Sequence, residues 1–286
     1  SDDYTDENGH GTYCAQIITS HCKHIEFIII KILDQNNIGY SRALVEGLKY
    51  IIPFSVDIVN MSLAVLCDEY KKEIEVLCSR IRDNGAIINV SVLNHASTSF
   101  PASLDSTLGI RGAFNVDPYK IWYNAKNEIQ CVSNLTPVLV SNIDCKKTFF
   151  GGNSKATALV SGLLAKAMYT MQIDGENALK SLVIKTDWCE DDIQKEFTVQ
   201  NKEKVGVELL ALSEQVCDFL KFNKKQRENI LERTLFPPSI YIEKEQFICL
   251  IEYLSAFYHK EVILGQFEIS NLSTISSIYR YFKGEK

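Results

Sequence analysis

The first half of the chain alternates short apolar runs with amphipathic stretches. Three of the apolar runs are rich in β-branched residues and have the length expected of strands buried on both faces. They are residues 26–33, 57–63 and 86–93. Amphipathic helices are predicted between them, over residues 41–52 and 68–85. This alternation predicts an α/β fold with a mostly parallel sheet and helices on both faces.

The second half of the chain has a helical pattern. Small residues on every side of residues 151–171 predict a helix buried in the centre of a domain, and a further helix is predicted over 175–185. Residues 189–204 are charged and aperiodic, which predicts a linker. Beyond it, apolar residues recur at helical spacing in three stripes. The stripes are Leu209, Leu212, Val216 and Leu220; Phe247, Leu250, Ile251, Leu254 and Tyr258; and Ile275, Ile278, Tyr279 and Phe282. We therefore predict one domain over 1–188 and a small C-terminal helical bundle over 205–286.

Charge and cysteine content narrow the classes of function. The net charge is −6 and no basic stripe is visible, which argues against a nucleic-acid partner. The apolar run at 25–33 is too short to span a membrane and no signal peptide is visible, so no membrane partner is expected. The nine cysteines include no CxxC pair, and several lie in apolar runs. This usage indicates free thiols in a reducing compartment, and we expect the protein in the cytoplasm.

The sequence offers one candidate for cofactor binding, a pair of histidines that could bind a metal ion. His21 and His24 have an HxxH spacing, but no further cluster of ligands accompanies them. We interpret this stretch as a polar loop after a helix, and predict neither a metal nor another cofactor.

Three polar segments carry candidate chemistry. "NGHGT" sets His10 at the start of a helix predicted over 11–20, "SVLNHAS" sets Asn94 just beyond a strand, and "GGNSKA" sets Ser154 at the start of the central helix. Parallel sheets collect such residues at the carboxyl ends of their strands. A histidine can activate a serine as a nucleophile, and an asparagine amide with a helix-start N–H can stabilise an oxyanion. Singly, each residue is better explained by a structural role, as a helix cap, a loop histidine or a turn residue. Together, in this order and at these strand ends, they predict an active site.

Five segments in order resemble the subtilisin-like serine proteases. They are "GHGTYCAQII", "DIVNMSLA", "NGAIINVSVLNHAS", "FPASLDSTLGIRGA" and "GGNSKATALVSGLLA". The resemblance implies that His10 is the general base, Ser154 the nucleophile and Asn94 the oxyanion donor in the hydrolysis of a peptide or protein substrate.

The same resemblance implies a substrate-binding surface with two parts. Ser62, Leu63 and Ala64 would pair with the substrate backbone as an added strand. Ser91, Val92 and Leu93 would form one wall of the S1 pocket.

Several positions depart from the family pattern. Leu93 and Ala64 replace glycines beside S1 and add bulk there, so a small or unusual P1 residue is expected. Gln16 replaces the glycine that ends the histidine motif, and Asn153 and Lys155 on either side of Ser154 also differ. These departures indicate a specialised member that processes a specific peptide or precursor.

The third triad member of the family, an aspartate on an earlier strand, has no clear counterpart. Only nine residues precede His10, and they contain Asp2, Asp3 and Asp6. Asp6 belongs to the approach to the histidine motif, where it is expected to be a turn residue. Three explanations stay open: a truncated or processed chain, a separate fragment or partner that supplies the strand and its aspartate, and a pseudoprotease scaffold that binds a peptide or protein without cleaving it.

Residues 247–284 weakly resemble acyl and peptidyl carrier domains in their hydrophobic spacing. The position of the carrier serine is occupied by Glu243-Lys244, and Ser239 lies at least a turn too early. The alternative is an ordinary helical appendage that supports the protease or binds a partner. Neither interpretation predicts a prosthetic group.

Overall fold

The structure is a computed structural model in which the chain divides into two compact units. The described residues are 5–114, 116–141, 147–196, 206–228, 230–232, 235, 242, 244–262 and 273–283. The first unit comprises Ser1–Leu135 and Val140–Cys189, and the second comprises Thr136–Leu139 and Glu190–Lys286. Asp2, Asp3, Ser239 and Glu243 lie outside the described residues.

A six-stranded sheet forms the centre of the first unit. Its strands, in spatial order, are β1 (Ile58–Met61), β2 (Ile87–Ser91), β3 (Leu108–Ala113), β5 (Cys131–Asn134), β4 (Ile121–Tyr123) and β8 (Val183–Lys185). Neighbouring strands are parallel except for the β4–β5 pair. A separate pair is formed by β6 (Val138–Ser141) and β7 (Lys147–Phe150). The predicted α/β fold with a mostly parallel sheet is therefore confirmed.

Helices cover both faces of this sheet. They are α1 (His10–His21), α2 (Ser41–Ile51), α3 (Lys71–Asp83), α4 (Gly152–Met171) and α5 (Gly175–Leu182). Ile88 and Val90 of β2 belong to one apolar cluster with the buried faces of α2 and α3. Asn89, between them, donates to Ser161 Oγ of α4 at 2.8 Å. Because successive side chains of a strand point to opposite faces, α4 lies across the sheet from α2 and α3.

Helix α4 is buried on nearly all sides as far as Leu164, as its small residues predicted, and its last two turns are more exposed. Ala156, Thr157, Ala158 and Val160 are fully inaccessible to solvent. Small side chains allow the backbone of a central helix to approach several strands at once. The helix starts at Gly152, beside the carboxyl ends of the strands, and this brings Ser154 to that edge of the sheet.

The predicted strand over residues 26–33 is not formed. The segment is irregular, and Phe27, Ile28 and Ile29 are exposed. Ile30 and Ile32 instead pack on α2, where a Cβ added at Gly47 would lie 3.0 and 3.4 Å from their Cγ2 atoms. An apolar run becomes a strand only if another strand takes up its backbone hydrogen bonds, and within the described residues this segment has no such neighbour.

Two further predictions are corrected at the end of the first unit and the start of the second. The helix predicted over 175–185 ends at Leu182, and its last three residues form β8. Part of the predicted linker forms α6 (Glu190–Glu196), in which Ile193 is buried. A single well-placed apolar residue is too weak a periodic signal for a short helix to be recognised.

The second unit is helical, as predicted. It contains, after α6, α7 (Val207–Phe219), α8 (Lys224–Arg227), a 3₁₀ turn (Ile230–Glu232), α9 (Lys244–Tyr258) and α10 (Ile275–Lys283). The three apolar stripes are confirmed, because all but two of their members are buried, the exceptions being Tyr258 and Tyr279. No helix among the described residues is both long and apolar enough to cross a bilayer.

Two isoleucines of the 26–33 segment test its packing. We expect Ile32→Ala to lower the free energy of unfolding by about 1–2 kcal/mol, because Ile32 packs on α2 and the apolar cluster. Ile29→Ala, at a position 56% exposed, should change it by less than about 0.5 kcal/mol. Urea unfolding followed by circular dichroism measures both, and equal losses would contradict the observed packing.

Candidate active site

His10 is fixed at the start of α1 by the turn that precedes it. The carboxylate of Asp6 accepts hydrogen bonds from the backbone N–H groups of Gly9 at 2.7 Å and Thr12 at 2.6 Å. Gly9 has φ +94°, a backbone conformation that residues with a side chain rarely adopt, so glycine is favoured at this position. Asp6 therefore stabilises the turn that leads into α1, as its place in the motif predicted, and it also accepts a hydrogen bond from an N–H of the first turn of the helix.

The imidazole of His10 lies in a partly buried position. Its ring meets the Phe150 ring edge-on, with 5.5 Å between centroids. Burial lowers the pKa of His10 below its ordinary value, and the Asp6 carboxylate partly offsets this effect. Among the described residues, neither ring nitrogen has a hydrogen-bond partner. A neutral imidazole can accept a proton, which is what a general base must do.

Ser154 is the third residue of α4. The first four N–H groups of a helix have no intrahelical acceptor and carry the positive end of its dipole. The backbone N–H of Ser154 is one of these groups. Gly152, two residues earlier, has φ +75°, which is costly for any other residue.

Asn94 is held against this helix start by its side-chain oxygen. Asn94 Oδ1 accepts a hydrogen bond from the backbone N–H of Asn153 at 3.3 Å. A Cβ added at Gly152 would lie only 3.2 Å from the same oxygen. Because the oxygen faces the N–H, the orientation of the amide is fixed, and Nδ2 is left as a donor without a partner among the described residues.

Ser62 connects three elements beneath the site. Its hydroxyl donates to the backbone oxygen of Ser154 at 3.4 Å and accepts from Asn60 Nδ2 at 3.2 Å. Cys14, one turn after His10, lies with its Sγ 3.5 Å from the same hydroxyl. Burial raises the pKa of Cys14 to about 11, so its thiol stays protonated. The segments of His10 and Ser154 thus meet at Ser62, beyond the end of β1.

The other predicted substrate-binding residues differ in exposure. Ser91 and Val92 are buried, and the Val92 side chain belongs to the apolar cluster under α2 and α3. Leu93 is 43% exposed. Leu63 and Ala64, after β1, are half-buried. Leu93 therefore has the most exposed side chain of the predicted substrate-binding residues.

Comparison with known proteins identifies the family of the chain. A profile described as "Subtilase family" matches residues 1–209. This chain belongs to the subtilase family. The intracellular serine protease of Paenibacillus polymyxa is 27% identical over 182 residues, which are 57% of this chain and 54% of that protein. The major intracellular serine protease of Bacillus subtilis is 25% identical over 181 residues, 57% of this chain and 56% of that protein. The chain thus matches about half the length of these two relatives.

Solved structures give weaker matches. A cold-adapted subtilisin-like serine proteinase aligns with a TM-score of 0.49 at 18% identity, covering 64% of this chain and 69% of that one. Sphericase aligns with a TM-score of 0.45 at 17% identity, covering 53% and 57%.

The structure gives a role to residues that the sequence marked only as departures from the subtilase pattern. Gln16 Nε2 donates to the backbone oxygen of Ser141 at 2.7 Å, and Gln16 Oε1 accepts from the backbone N–H of Ser141 at 2.9 Å. This pairing ties α1 to the end of β6. Asn153 and Lys155 are both buried beside Ser154. In the sequence, the indication of such hydrogen bonds was the presence of the polar residues Asn153 and Lys155 in a helix of mostly small and apolar residues.

Lys155 anchors the start of α4 to the end of β5. Its Nζ donates to the backbone oxygen and to Oδ1 of Asn134, at 3.0 Å each. Asn134 Nδ2 in turn donates to the backbone oxygens of Phe114 and Val116 at 3.0 and 2.7 Å. A cation is unfavourable near the positive end of a helix, and these hydrogen bonds compensate for its burial there.

The HxxH histidines of this subtilase are engaged with aromatic rings. His24 stacks on Tyr169 at 4.3 Å between centroids, and His21 meets Tyr119 edge-on at 6.1 Å. Within the described part of the chain, no three His, Cys, Asp or Glu side chains converge as a metal site would require.

The charge state of His10 gives a pH test of the site. We expect imidazole chemical shifts to report a pKa below the ordinary 6.5, because burial disfavours the charged ring. Asp6→Asn should lower that pKa further, since it removes the anion that favours imidazolium. As a control, Glu7→Gln removes a neighbouring carboxylate that faces Lys31 and should leave it unchanged. A pKa that rises in Asp6→Asn would contradict the assignment.

Proposed function

We propose that this subtilase is a serine endopeptidase in which Ser154 is the nucleophile, His10 the general base and Asn94 an oxyanion donor. In this mechanism His10 accepts the Ser154 hydroxyl proton as the oxygen attacks the scissile carbonyl. The negative charge on the carbonyl oxygen is met by Asn94 Nδ2 and by the backbone N–H of Ser154. His10 then returns the proton to the leaving amine.

The observation that carries the proposal is the hydrogen bond between Asn94 Oδ1 and the backbone N–H of Asn153, at 3.3 Å. It turns the donor end of the Asn94 amide outward, next to the start of α4. Two donors then lie on neighbouring elements, one a side-chain amide and one a first-turn N–H. Such preorganised donors stabilise an oxyanion at no cost of reorientation during the reaction.

We further propose that a complementing strand completes the sheet and brings the carboxylate that orients His10. Two features support this. Strand β1 is the last strand in the order of the described sheet, so one of its edges is open. The apolar residues Phe27, Ile28 and Ile29 of the neighbouring 26–33 segment are exposed, as expected of a strand whose neighbour is elsewhere. The strand would come from a longer form of the chain, a separate fragment or a partner.

One observation favours a second function, that of a scaffold that binds a peptide without cleaving it. Neither nitrogen of the His10 ring has a hydrogen-bond partner among the described residues, so nothing there fixes its tautomer. A chain that remained in this state would grip a peptide along Ser62, Leu63 and Ala64 by strand addition without cleaving it. This is the scaffold alternative.

Substrate and compartment follow from the same features. A bulky residue at position 93 beside S1 supports the processing of a specific peptide or precursor with a small P1 residue. Two relatives are named intracellular serine proteases, and nine cysteines without a CxxC pair suit a reducing compartment. We therefore assign the activity to the cytoplasm and to a domain over 1–188, with 205–286 as a helical domain that carries no prosthetic group.

Labelling with a fluorophosphonate serine probe tests the enzymatic function. The probe should react with the chain, or with a form extended to the start of its gene, and Ser154→Ala should abolish labelling. Ser161→Ala removes a hydroxyl two turns along the same helix and should label normally. Labelling of the extended form alone would identify the complementing strand as the missing part.

The scaffold alternative predicts a different result in the labelling experiment. An extended chain that is never labelled, while a peptide binds equally to it and to its Ser154→Ala variant, would overturn the enzyme and support the scaffold.

The P1 preference is tested at Leu93. In the labelled form, Leu93→Ala should raise the ratio of kcat/KM for phenylalanine over alanine at P1 by about tenfold, because it removes bulk beside the pocket. Leu210→Ala truncates a leucine of similar exposure, 48%, in the second unit and should leave the ratio unchanged. An unchanged ratio in Leu93→Ala would remove position 93 from the pocket wall.

A further inference from the structure

Asn153, the residue before Ser154, makes hydrogen bonds unlike those of an ordinary helix cap. It is 7% exposed, and both polar atoms of its side chain are satisfied by backbone groups. Asn153 Nδ2 donates to the backbone oxygen of Val92 at 2.9 Å, and Asn153 Oδ1 accepts from the backbone N–H of Gly112 at 2.9 Å. One amide therefore ties the start of α4 to the chain just beyond β2 and to β3.

The strand end to which Asn153 donates is the one that leads to Asn94. Val92 lies two residues before Asn94 in the chain, and its side chain is fixed in the apolar cluster. The backbone N–H of Asn153 holds Asn94 Oδ1 at 3.3 Å. The same residue thus binds the backbone before Asn94 and the side chain of Asn94, and it is joined directly to Ser154.

The main chain of Asn153 is also held by hydrogen bonds. The backbone oxygen of Asn153 accepts from Thr157 Oγ1 at 2.8 Å within the first turns of α4. With its side chain, its N–H and its carbonyl all engaged, Asn153 has no freedom to rotate without breaking several buried hydrogen bonds. Leaving buried donors or acceptors unpaired is costly, so this geometry is strongly determined.

We propose that Asn153 is a positioning residue that sets the spacing between Asn94 Nδ2 and the Ser154 nucleophile. This inference rests on the proposed function, in which both atoms act on the same carbonyl. The side chain of Asn153 does not itself touch the substrate, because both of its polar atoms are bound to the backbone. Displacements of about 1 Å in such a constellation cost about 10²-fold in rate.

The first test uses the rate of reaction with a fluorophosphonate per folded protein. Asn153→Ala should slow it about 10²-fold, with the affinity for a non-reactive peptide unchanged. Asn89→Ala is the matched control, because Asn89 is also a buried asparagine that ties β2 to α4, through Ser161. It should lower stability without a comparable loss of rate. Equal rate losses in the two variants would overturn the proposal.

An isosteric variant separates positioning from stability. In Asn153→Asp, an ionised carboxylate would oppose the Val92 oxygen, whereas the protonated acid would restore both hydrogen bonds. The ratio of the variant rate to the unsubstituted rate should therefore rise by about tenfold as the pH falls from about 8 to about 5.5. The pKa of His10 is measured in both proteins from its imidazole shifts, and each rate is divided by the fraction of neutral His10 before the ratio is taken, because a new carboxylate can raise that pKa. A ratio that is flat or falls with acidification would contradict a positioning role.

A readout without catalysis keeps this inference distinct from the proposed function. With ¹⁵N-labelled asparagine, the Nδ2 protons of Asn94, assigned from Asn94→Ala, report the fixed amide. Asn153→Ala should change these shifts, because the hydrogen bond that Asn94 Oδ1 accepts is displaced, and Asn89→Ala should leave them unchanged. If the probe labels no residue and the Asn94 shifts nevertheless change in Asn153→Ala, the proposed enzymatic function is contradicted and the positioning role of Asn153 is supported. If the Asn94 shifts do not change in Asn153→Ala, the positioning role is contradicted, whether or not the probe labels Ser154.

Discussion

The candidate site depends on the way in which the first turn of α4 is bound to the ends of the strands. A helix start presents N–H groups that must find acceptors, and in this chain one of them is taken by Asn94 Oδ1. The side chains on either side of Ser154 point into the protein and bind three strands: Asn153 the β2 end and β3, and Lys155 the end of β5. The serine is therefore carried on a turn that hydrogen bonds join to three strands of the sheet.

Electrostatics around this turn favour a neutral base beside a positive helix end. Burial lowers the pKa of His10, and the negative charge of Asp6 partly offsets this effect. Asp6 is itself engaged: burial raises its pKa, but hydrogen bonds from Thr12 and Gly9 outweigh this and hold the pKa below its ordinary value. Asp6 is thus an anion that binds N–H groups at the start of α1 and raises the pKa of His10 through its charge, without a hydrogen bond to the imidazole ring.

Sequence patterns predicted the elements that are determined locally or by burial. The β-branched runs at 57–63 and 86–93 became β1 and β2, and the small-residue run at 151–171 became α4. The run at 26–33 carried the same signal but formed no strand, because strand formation depends on a partner that a local pattern does not reveal. The places of Asn94 just beyond β2 and of Ser154 at the start of α4 were also predictable from the sequence. The ties of Asn153 and Lys155 were not, since they join residues 41 and 21 positions apart through polar atoms that no periodicity marks.

The most direct test of the account is the structure of the protein after reaction with a fluorophosphonate. The account predicts a covalent bond from Ser154 Oγ to phosphorus, with the phosphonyl oxygen about 2.7–3.1 Å from both Asn94 Nδ2 and the backbone N–H of Ser154. An adduct on Ser154 whose phosphonyl oxygen points away from Asn94, or an adduct on another residue, would contradict it.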